Sequence, residues 1–563
     1  MKHLQRIELG LALLLTALAV VLHLRYATHA GALWRDEVNS VEIAALPSLG
    51  EMWNNLQFDS FPIAWLVILK IWCGLGFASD SGLRLLGFLT GIGGLAAIWA
   101  NARLLKRPVP LIALALLGLS PTVIRWGDSI RAWGLGLLLT IIVLALLWQV
   151  IEKPDWKRFA AAFSICVLGV QTSYYFAVIL FSIGVPIMVL AVIRKNWRAL
   201  TLLALISGVS ALSLFPYVGM MRRAGDWNMI LHRPDFTFGW FLEKLTQAIA
   251  PLWGGLDVAI WLGLVATGCS VAFFNATYPE PQRRKCAKKE LAKSESVGPE
   301  GSDSSLSGGP LANISLVILG LVFVAYFLFL QTLSYQTNAW YYLSLMGLSA
   351  ILVDFSIASN IGATTLRVMR IGMASALLLL WFPVAWTQVG QRQTNVDLIA
   401  HTIQSSSNSA DSIIINPWES AITFQRYYKG NCVWSTLPPV GIPKVHRFDL
   451  VKEMMTQSVP ADAVKPLLSQ AETTLKSGGK LWLIGGVEFL QNGATPAILP
   501  PAPNSPYGWM NVAYYSMWSQ QLGNLIQKHA LRATQVEVPC ASPVSAFENL
   551  QLIVIEGWRE KSL

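Results

Sequence analysis

Long apolar stretches recur through the first 390 residues and restrict the chain to a helical membrane fold. Only 13% of all residues are charged and 54% are hydrophobic, whereas about 25% of the residues in soluble domains are charged. A helix needs roughly 20 mostly apolar residues to cross the hydrocarbon core of a bilayer. The sequence therefore predicts an α-helical polytopic membrane protein with about 11 transmembrane helices, at 7–26, 85–102, 111–123, 132–150, 159–172, 176–193, 199–215, 256–275, 311–330, 340–359 and 368–386.

The apolar segment 61–77 decides the orientation of every later span. It is short, opens with Pro62 and contains Lys70, so we predict a helix that lies at the membrane interface rather than a span. With this choice, Lys and Arg concentrate in the cytoplasmic loops, as the positive-inside rule requires. We expect a multi-pass protein of the inner or plasma membrane with a cytoplasmic N-terminus. The same loops explain the net charge of +10 without a nucleic-acid partner.

Composition shifts divide the chain into two domains and two unusual loops. Residues 1–390 are predicted to form the transmembrane module, with an outer loop at 28–84 that carries interfacial helices. Residues 279–309, basic and then rich in Ser and Gly, are predicted to form a flexible cytoplasmic loop. Residues 391–563 alternate strand and helix patterns, which predicts an extracytoplasmic α/β domain. Its predicted strands are 411–416, 480–485 and 551–556, and its predicted helices are 396–404, 417–428, 463–477 and 512–529.

The cysteines give no sign of a structural zinc site. The chain has six, and none occurs in the CxxC spacing that zinc ligands commonly show. Cys432 and Cys540 belong to the predicted α/β domain. They are expected either to pair in an oxidising compartment or to remain two buried free thiols, and the sequence favours neither.

The polar groups that a membrane fold leaves unexplained collect on the outer side of the predicted topology. Asp36 and Glu37 directly follow the first span, where one carboxylate would suffice for solubility. Because the topology was derived from other residues, we expect these groups to meet in one cavity at the membrane boundary. The members of this outer set are Asp36, Glu37, Asp59, Arg84, Asp128, Arg131, His232, Arg233 and Tyr341.

Each member of this outer set also has a purely structural interpretation. Arg84 and Arg131 lie at predicted helix ends, where arginines commonly anchor a helix at the interface. His232 and Arg233 fall in a charged loop that is as well explained by solvation, and Tyr341 belongs to a Trp/Tyr-rich turn that suits an interfacial belt. The site is therefore predicted from the set as a whole.

The order of these motifs resembles the GT-C superfamily of membrane glycosyltransferases, in particular bacterial relatives of protein O-mannosyltransferases and of lipopolysaccharide-modifying transferases. The resemblance covers about residues 1–390. It is carried by Asp36-Glu37 after the first span, by Asp59-Ser60-Phe61-Pro62, by Arg84, and by Pro121 followed by Asp128-Ser129-Ile130-Arg131.

The resemblance implies a polyprenyl-phosphate sugar donor and a lipid, glycan or protein acceptor. Asp36, with Glu37 next to it, would be the general base of an inverting transfer to an acceptor hydroxyl. The leaving phosphate would be held by Arg84, Arg131 and Arg233. Substrate or metal contacts would come from Asp59, Asp128, His232 and Tyr341, and Asp36 and Asp128 would share a divalent metal cation if one is bound.

The sequence departs from the family pattern at two motifs and leaves two other functions open. Many relatives have His-Pro-Pro where this chain has Phe61-Pro62-Ile63, and Glu-x-Arg-x-Tyr where Ser129 and Trp133 stand in this chain; a metal is therefore an option, not a requirement. A transporter or flippase is disfavoured because the spans contain few ionisable residues. A non-catalytic membrane scaffold predicts that Asp36, Asp59 and Asp128 do not converge.

Overall fold

The computed structural model describes residues 2–107, 109–227, 236–250, 252–277, 309–333, 337–358, 364–441, 444–491, 494–503 and 511–560. Its helical module comprises α1 (Lys2–His29), α2 (Arg35–Ala45), α3 (Leu49–Asn55), α4 (Ala64–Trp72), α5 (Asp80–Leu104), α6 (Leu111–Gly118), α7 (Pro121–Gly127), α8 (Trp133–Glu152), α9 (Trp156–Thr172), α10 (Tyr174–Ile193), α11 (Trp197–Leu212), α12 (Val218–Trp227), α13 (Phe238–Ile249), α14 (Gly255–Thr277), α15 (Gly309–Leu333), α16 (Leu343–Ala358) and α17 (Thr364–Val389).

Eight helical segments of the described chain are long and apolar enough to cross a membrane. They coincide with eight of the eleven predicted spans. The predicted fold class is therefore confirmed, but fewer of the described helices than predicted are long and apolar enough to cross a membrane. Predicted span 111–123 is instead split between α6 and α7, because Ser120 caps a new helix that has Pro121 in its first turn. Helix α9 has 17 residues, and the apolar part of α14 counts among the shorter apolar helices.

The segment predicted to lie at the interface is too short to span a bilayer. Helix α4 has nine residues and continues into a π-helical turn at Cys73–Phe77. The ammonium group of Lys70 is bound inside the protein. Its Nζ donates to the backbone oxygens of Leu46 at 2.5 Å and Ala44 at 3.3 Å. The lysine thereby ties α4 to the end of α2.

The charges near the start of α1 are neutralised inside the bundle. Arg370 of α17 pairs with Glu8 and also with Asp354, the latter at 3.2 Å, and all three side chains are buried. The backbone N–H of Ile112 donates to Asp354 Oδ1 at 2.8 Å. Two carboxylates that stand isolated in the sequence thus form one ion cluster that joins α1, α6, α16 and α17.

The C-terminal domain is a five-stranded sheet with helices on both faces. The strand order is β2-β1-β3-β5-β4; β2, β1 and β3 are parallel, and β5 runs antiparallel to β3 and β4. The strands are β1 (Ser412–Ile415), β2 (Val433–Thr436), β3 (Leu481–Ile484), β4 (Ala530–Val536) and β5 (Leu552–Trp558). The helices are α18 (Val396–Ser406), α19 (Ala421–Tyr427), α20 (Phe448–Thr456), α21 (Lys465–Lys476) and α22 (Val512–His529).

Two sequence-based expectations for this part of the chain need correction or lie outside the described residues. Cys432 and Cys540 do not pair: both thiols are free, Cys432 is buried and Cys540 is exposed. Cys432 instead donates to Asn408 O at 3.1 Å. The predicted flexible loop 279–309 falls almost entirely outside the described residues.

Candidate functional site

The first turn of α2 carries the acidic pair around which the site is built. Trp34 precedes the helix, and Arg35, Asp36 and Glu37 are its first three residues. Glu37 Oε2 accepts a 3.2 Å hydrogen bond from the backbone N–H of Trp34, which fixes the start of the helix. Neighbouring helical residues point about 100° apart, so Asp36 and Glu37 face different surroundings.

Glu37 faces the bundle and forms a buried two-pronged ion pair with Arg84 of α5. Arg84 Nη1 and Nη2 lie 2.6 and 2.9 Å from Glu37 Oε1 and Oε2. Arg84 also donates to Ala32 O at 2.9 Å, and the backbone N–H of Ile130 donates to Glu37 Oε1 at 2.9 Å. The pair therefore locks three segments together, and a phosphate would have to compete with Glu37 for Arg84.

Asp59 forms a second buried pair, with Arg131. Arg131 Nη1 lies 2.9 Å from Asp59 Oδ1, and Ser40 Oγ donates to Asp59 Oδ2 at 2.9 Å. Arg131 Nη1 also lies 3.0 Å from the backbone oxygen of Asp36, and its guanidinium stands 4.8 Å above the ring of Phe61. Burial raises the pKa of Asp59, and Arg131 opposes that shift. The structure thus brings Asp36, Asp59 and Arg131 together.

Asp36 differs from the other acids of the predicted set because its carboxylate remains partly accessible. Its side chain is 27% exposed, and its ion pair with Arg35 is long, with Arg35 Nε 3.5 Å from Asp36 Oδ1. Glu37, Asp59 and Asp128 have side-chain exposures of 0%, 0% and 1%. Asp36 is therefore the acid of this set that is best placed to exchange a proton with a substrate.

Asp128 lies in a different environment, against α1 and α5. Asp128 Oδ2 is 2.7 Å from His23 Nδ1, while the buried Oδ1 has no hydrogen-bond partner in the described part of the chain. Burial raises the pKa of Asp128 to about 6, and His23 opposes this shift. Both residues line a narrow, mostly apolar cavity of about 20 Å³, which is room for about one water molecule.

The arrangement of these acids does not fit the shared metal ion predicted for Asp36 and Asp128. Asp128 is bound to His23, Asp36 lies beside Arg35, and the residues described contain no group of three His, Cys, Asp or Glu side chains suited to a metal. Divalent cations need several oxygen or nitrogen ligands converging on one point.

The C-terminal domain packs directly on α2 and contributes polar groups to the site. Tyr427 Oη accepts from the backbone N–H of Leu33 at 2.8 Å and donates to Asp80 at 2.6 Å. Glu548 Oε2 accepts from the backbone N–H of Arg35 at 3.3 Å. Burial raises the pKa of Glu548 to about 7, and Arg35 opposes the shift.

His446 is the histidine that this domain places beside the acidic turn. Its backbone N–H donates to Asn39 Oδ1 at 2.9 Å, and its imidazole is buried. Burial lowers the pKa of His446 to about 4; the charge of Asp36 opposes this shift, and the charges of Arg35 and Arg131 add to it. The imidazole is therefore neutral at physiological pH.

Aromatic rings pack beside the site. Tyr341 packs against Trp133, with ring centroids 4.8 Å apart, and Trp133 packs against Phe61 at 4.5 Å. Trp34 contacts Trp126 at 5.5 Å and Trp340 at 5.9 Å in a neighbouring cluster. Tyr341 is buried and serves as a packing group among these rings.

Sequence reasoning missed several polar residues of the site, and two predicted residues cannot be placed. His23, His446 and Glu548 were not predicted: His23 looks like part of an apolar span, and the other two come from a domain whose docking has no local sequence signal. His232 and Arg233 lie outside the described residues.

No protein-family model and no curated protein matches this chain, whereas solved structures resemble it. The apo oligosaccharyltransferase of Archaeoglobus fulgidus is 12% identical, with a TM-score of 0.44 over 96% of this chain and 75% of that one. ArnT of Cupriavidus metallidurans bound to undecaprenyl phosphate is 14% identical, with a TM-score of 0.44 over 84% of this chain and 93% of that one.

Proposed function

We propose that this chain is an inverting glycosyltransferase of the GT-C type. It would move a sugar from a polyprenyl-phosphate carrier to a hydroxyl of a lipid, glycan or protein acceptor. The reaction would take place at the extracytoplasmic face of the cell membrane, with the N-terminus in the cytoplasm and the α/β domain outside.

One observation carries the proposal: a partly accessible carboxylate lies among acids that are already neutralised. Glu37, Asp59 and Asp128 are bound to Arg84, Arg131 and His23, so these pairs hold the site's framework. Asp36 is held in position by its helix and by Arg131, which donates to its backbone oxygen. A carboxylate held in this way at the interface between two domains can act as a general base.

The chemistry follows from direct displacement at the anomeric carbon. The acceptor hydroxyl oxygen forms a bond to that carbon as the bond from the carbon to the carrier's phosphate oxygen breaks. The hydroxyl proton passes to Asp36, and the phosphate leaves with the electron pair. The developing phosphate charge needs a nearby cation. We assign this role to Arg131, because its Nη1 lies 3.0 Å from the backbone oxygen of Asp36; the phosphate would then share the guanidinium with Asp59. Attack opposite the leaving group inverts the anomeric centre.

The test is sugar transfer by the purified full-length protein. Radiolabelled undecaprenyl-phosphate glucose, galactose, mannose and arabinose are offered with membrane extracts as acceptors, and the anomeric configuration of the product is determined by NMR. Asp36→Asn is expected to lower transfer by about 10² to 10⁴-fold without loss of folded protein. Glu51→Gln, which changes an exposed acid of the same outer loop, serves as the matched control.

Three results would count against the proposal. Transfer from none of the four donors would remove the assigned reaction, and near-normal transfer by Asp36→Asn would remove Asp36 as the base. Uptake or flipping of a lipid-linked sugar by the protein in liposomes, without transfer, would favour the transporter that the sequence left open.

A further inference from the structure

We propose that the C-terminal domain supplies a binding subsite for the sugar of the donor, formed by His446 and Glu419 beside Asp36. The inference rests on the proposed function, because it assigns the sugar-recognising part of the same site. The active site would then be shared between the two domains.

His446 is held at a fixed distance from the acidic turn by a buried hydrogen bond. Asn39, three residues after Asp36 on α2, accepts from the backbone N–H of His446 at 2.9 Å and donates from Nδ2 to Phe58 O at 3.0 Å. Asn39 is 1% exposed, so water does not compete for these bonds. The domain therefore presents His446 to α2 in one position.

Two buried polar atoms beside this turn have no hydrogen-bond partner among the residues described. They are His446 Nε2 and Glu419 Oε2. Their residues share one neighbourhood: Trp418, which directly precedes Glu419, packs edge-to-face against His446 with ring centroids 6.1 Å apart, and the charges of Arg35 and Asp36 act on both His446 and Glu419. A buried polar atom without a partner destabilises the folded protein, because it has given up its hydrogen bonds to water. Such groups gathered in one place indicate a ligand that provides the missing bonds.

The chemistry of the two atoms favours sugar hydroxyls over a phosphate. A carboxylate oxygen accepts, and Nε2 of a neutral imidazole accepts or donates according to its tautomer. A hydroxyl both donates and accepts, so adjacent sugar hydroxyls match this set. The carboxylates of Glu419 and Asp36 would repel a phosphate, which the proposed function assigns to Arg131. A sugar linked to that phosphate would lie next to Arg131. His446 is close enough to Arg131 for the arginine's charge to act on the imidazole.

The experiment compares binding of the bare carrier with binding of the sugar-linked carrier. Full-length protein in nanodiscs is titrated with undecaprenyl phosphate and with the same four undecaprenyl-phosphate sugars. The ratio of the two dissociation constants isolates the contribution of the sugar. His446→Phe keeps a ring without nitrogen, His446→Gln keeps a polar end, and Glu419→Gln removes the charge. His401→Ala, at an exposed histidine of the same domain, is the matched control.

We expect wild type and His401→Ala to bind one sugar-linked carrier more tightly than the bare carrier. His446→Phe and Glu419→Gln should each reduce that preference by about tenfold, with an unchanged constant for the bare carrier, and His446→Gln should retain part of it. An unchanged preference in His446→Phe and Glu419→Gln, or equal weakening of both ligands, overturns the subsite. A wild type that transfers a sugar but shows no preference overturns this inference alone, whereas a wild type that binds neither ligand overturns the proposed function as well.

Discussion

Glu37 and Arg84 meet in a two-pronged ion pair that is 0% and 5% exposed and joins the first turn of α2 to the start of α5. The backbone N–H groups of Trp34 and Ile130 complete the coordination of the carboxylate. A buried pair with its remaining bonds satisfied is costly to break from one side, because the partner is left as an uncompensated buried charge.

Arg84→Ala is therefore expected to destabilise the protein by about 3–5 kcal/mol, seen as a large fall in Tm and in the yield of folded protein from detergent. Arg103→Ala removes an exposed arginine of the same helix and should leave Tm unchanged. A wild-type Tm for Arg84→Ala would mean that the pair does not hold the site's framework. Arg84 would then again be a candidate for binding the donor phosphate.

The Glu37–Arg84 pair also shows where sequence reasoning reached its limit. The sequence identifies the acidic pair after the first span, but it does not determine which of the two adjacent helical residues faces inward. That choice depends on the first residue of α2, and helix boundaries are weakly encoded. Likewise, Asn39 and His446 are 407 positions apart, so a contact between them could not be inferred from either local pattern.

The C-terminal sheet shows the same division between local and long-range information. β1 and β3 are buried along their whole length, so they appear as continuous apolar runs and were predicted. β2 and β4 are edge strands, and β4 exposes Arg532 and other residues in the run ALRATQV. An edge strand needs neither a continuous apolar run nor regular alternation, which is why both were missed.

One hydroxyl of the C-terminal domain, that of Tyr427, hydrogen-bonds to the helical module at two points and contributes to the docking of the domain. Tyr427→Phe removes the hydrogen bonds to Leu33 N–H and Asp80, at about 1 kcal/mol each. We expect faster hydrogen–deuterium exchange across residues 33–36 and a moderate fall in Tm. Tyr428→Phe is the control, because its hydroxyl accepts from Cys432 N–H within the domain. Equal exchange in both variants would mean that the bridge does not hold the domains together.

Glu548 should make stability depend on pH in a predictable direction. Its pKa is raised from 4.5 to about 7, so between these values the folded protein keeps a proton that the unfolded chain has released. This contribution therefore falls as pH rises from 4.5 to 7. Glu548→Gln cannot titrate and should flatten that part of the Tm–pH profile, whereas Glu537→Gln, at an exposed site, should not. Parallel profiles for wild type and Glu548→Gln would contradict the assignment.

The His23–Asp128 pair is possible because a glycine lets α5 approach it closely. A Cβ added at Gly91 would overlap Asp128 Oδ1 and His23 Nδ1, whereas one added at Gly94, three residues further along α5 and lining the same cavity, meets nothing within 4 Å. Gly91→Ala must displace the buried pair, at a cost of about 1–3 kcal/mol, and should lower Tm. Gly94→Ala should leave Tm unchanged or raise it, since alanine favours a helix by up to about 1 kcal/mol over glycine. If both variants shift Tm equally, the close approach at Gly91 has no special role in placing the pair.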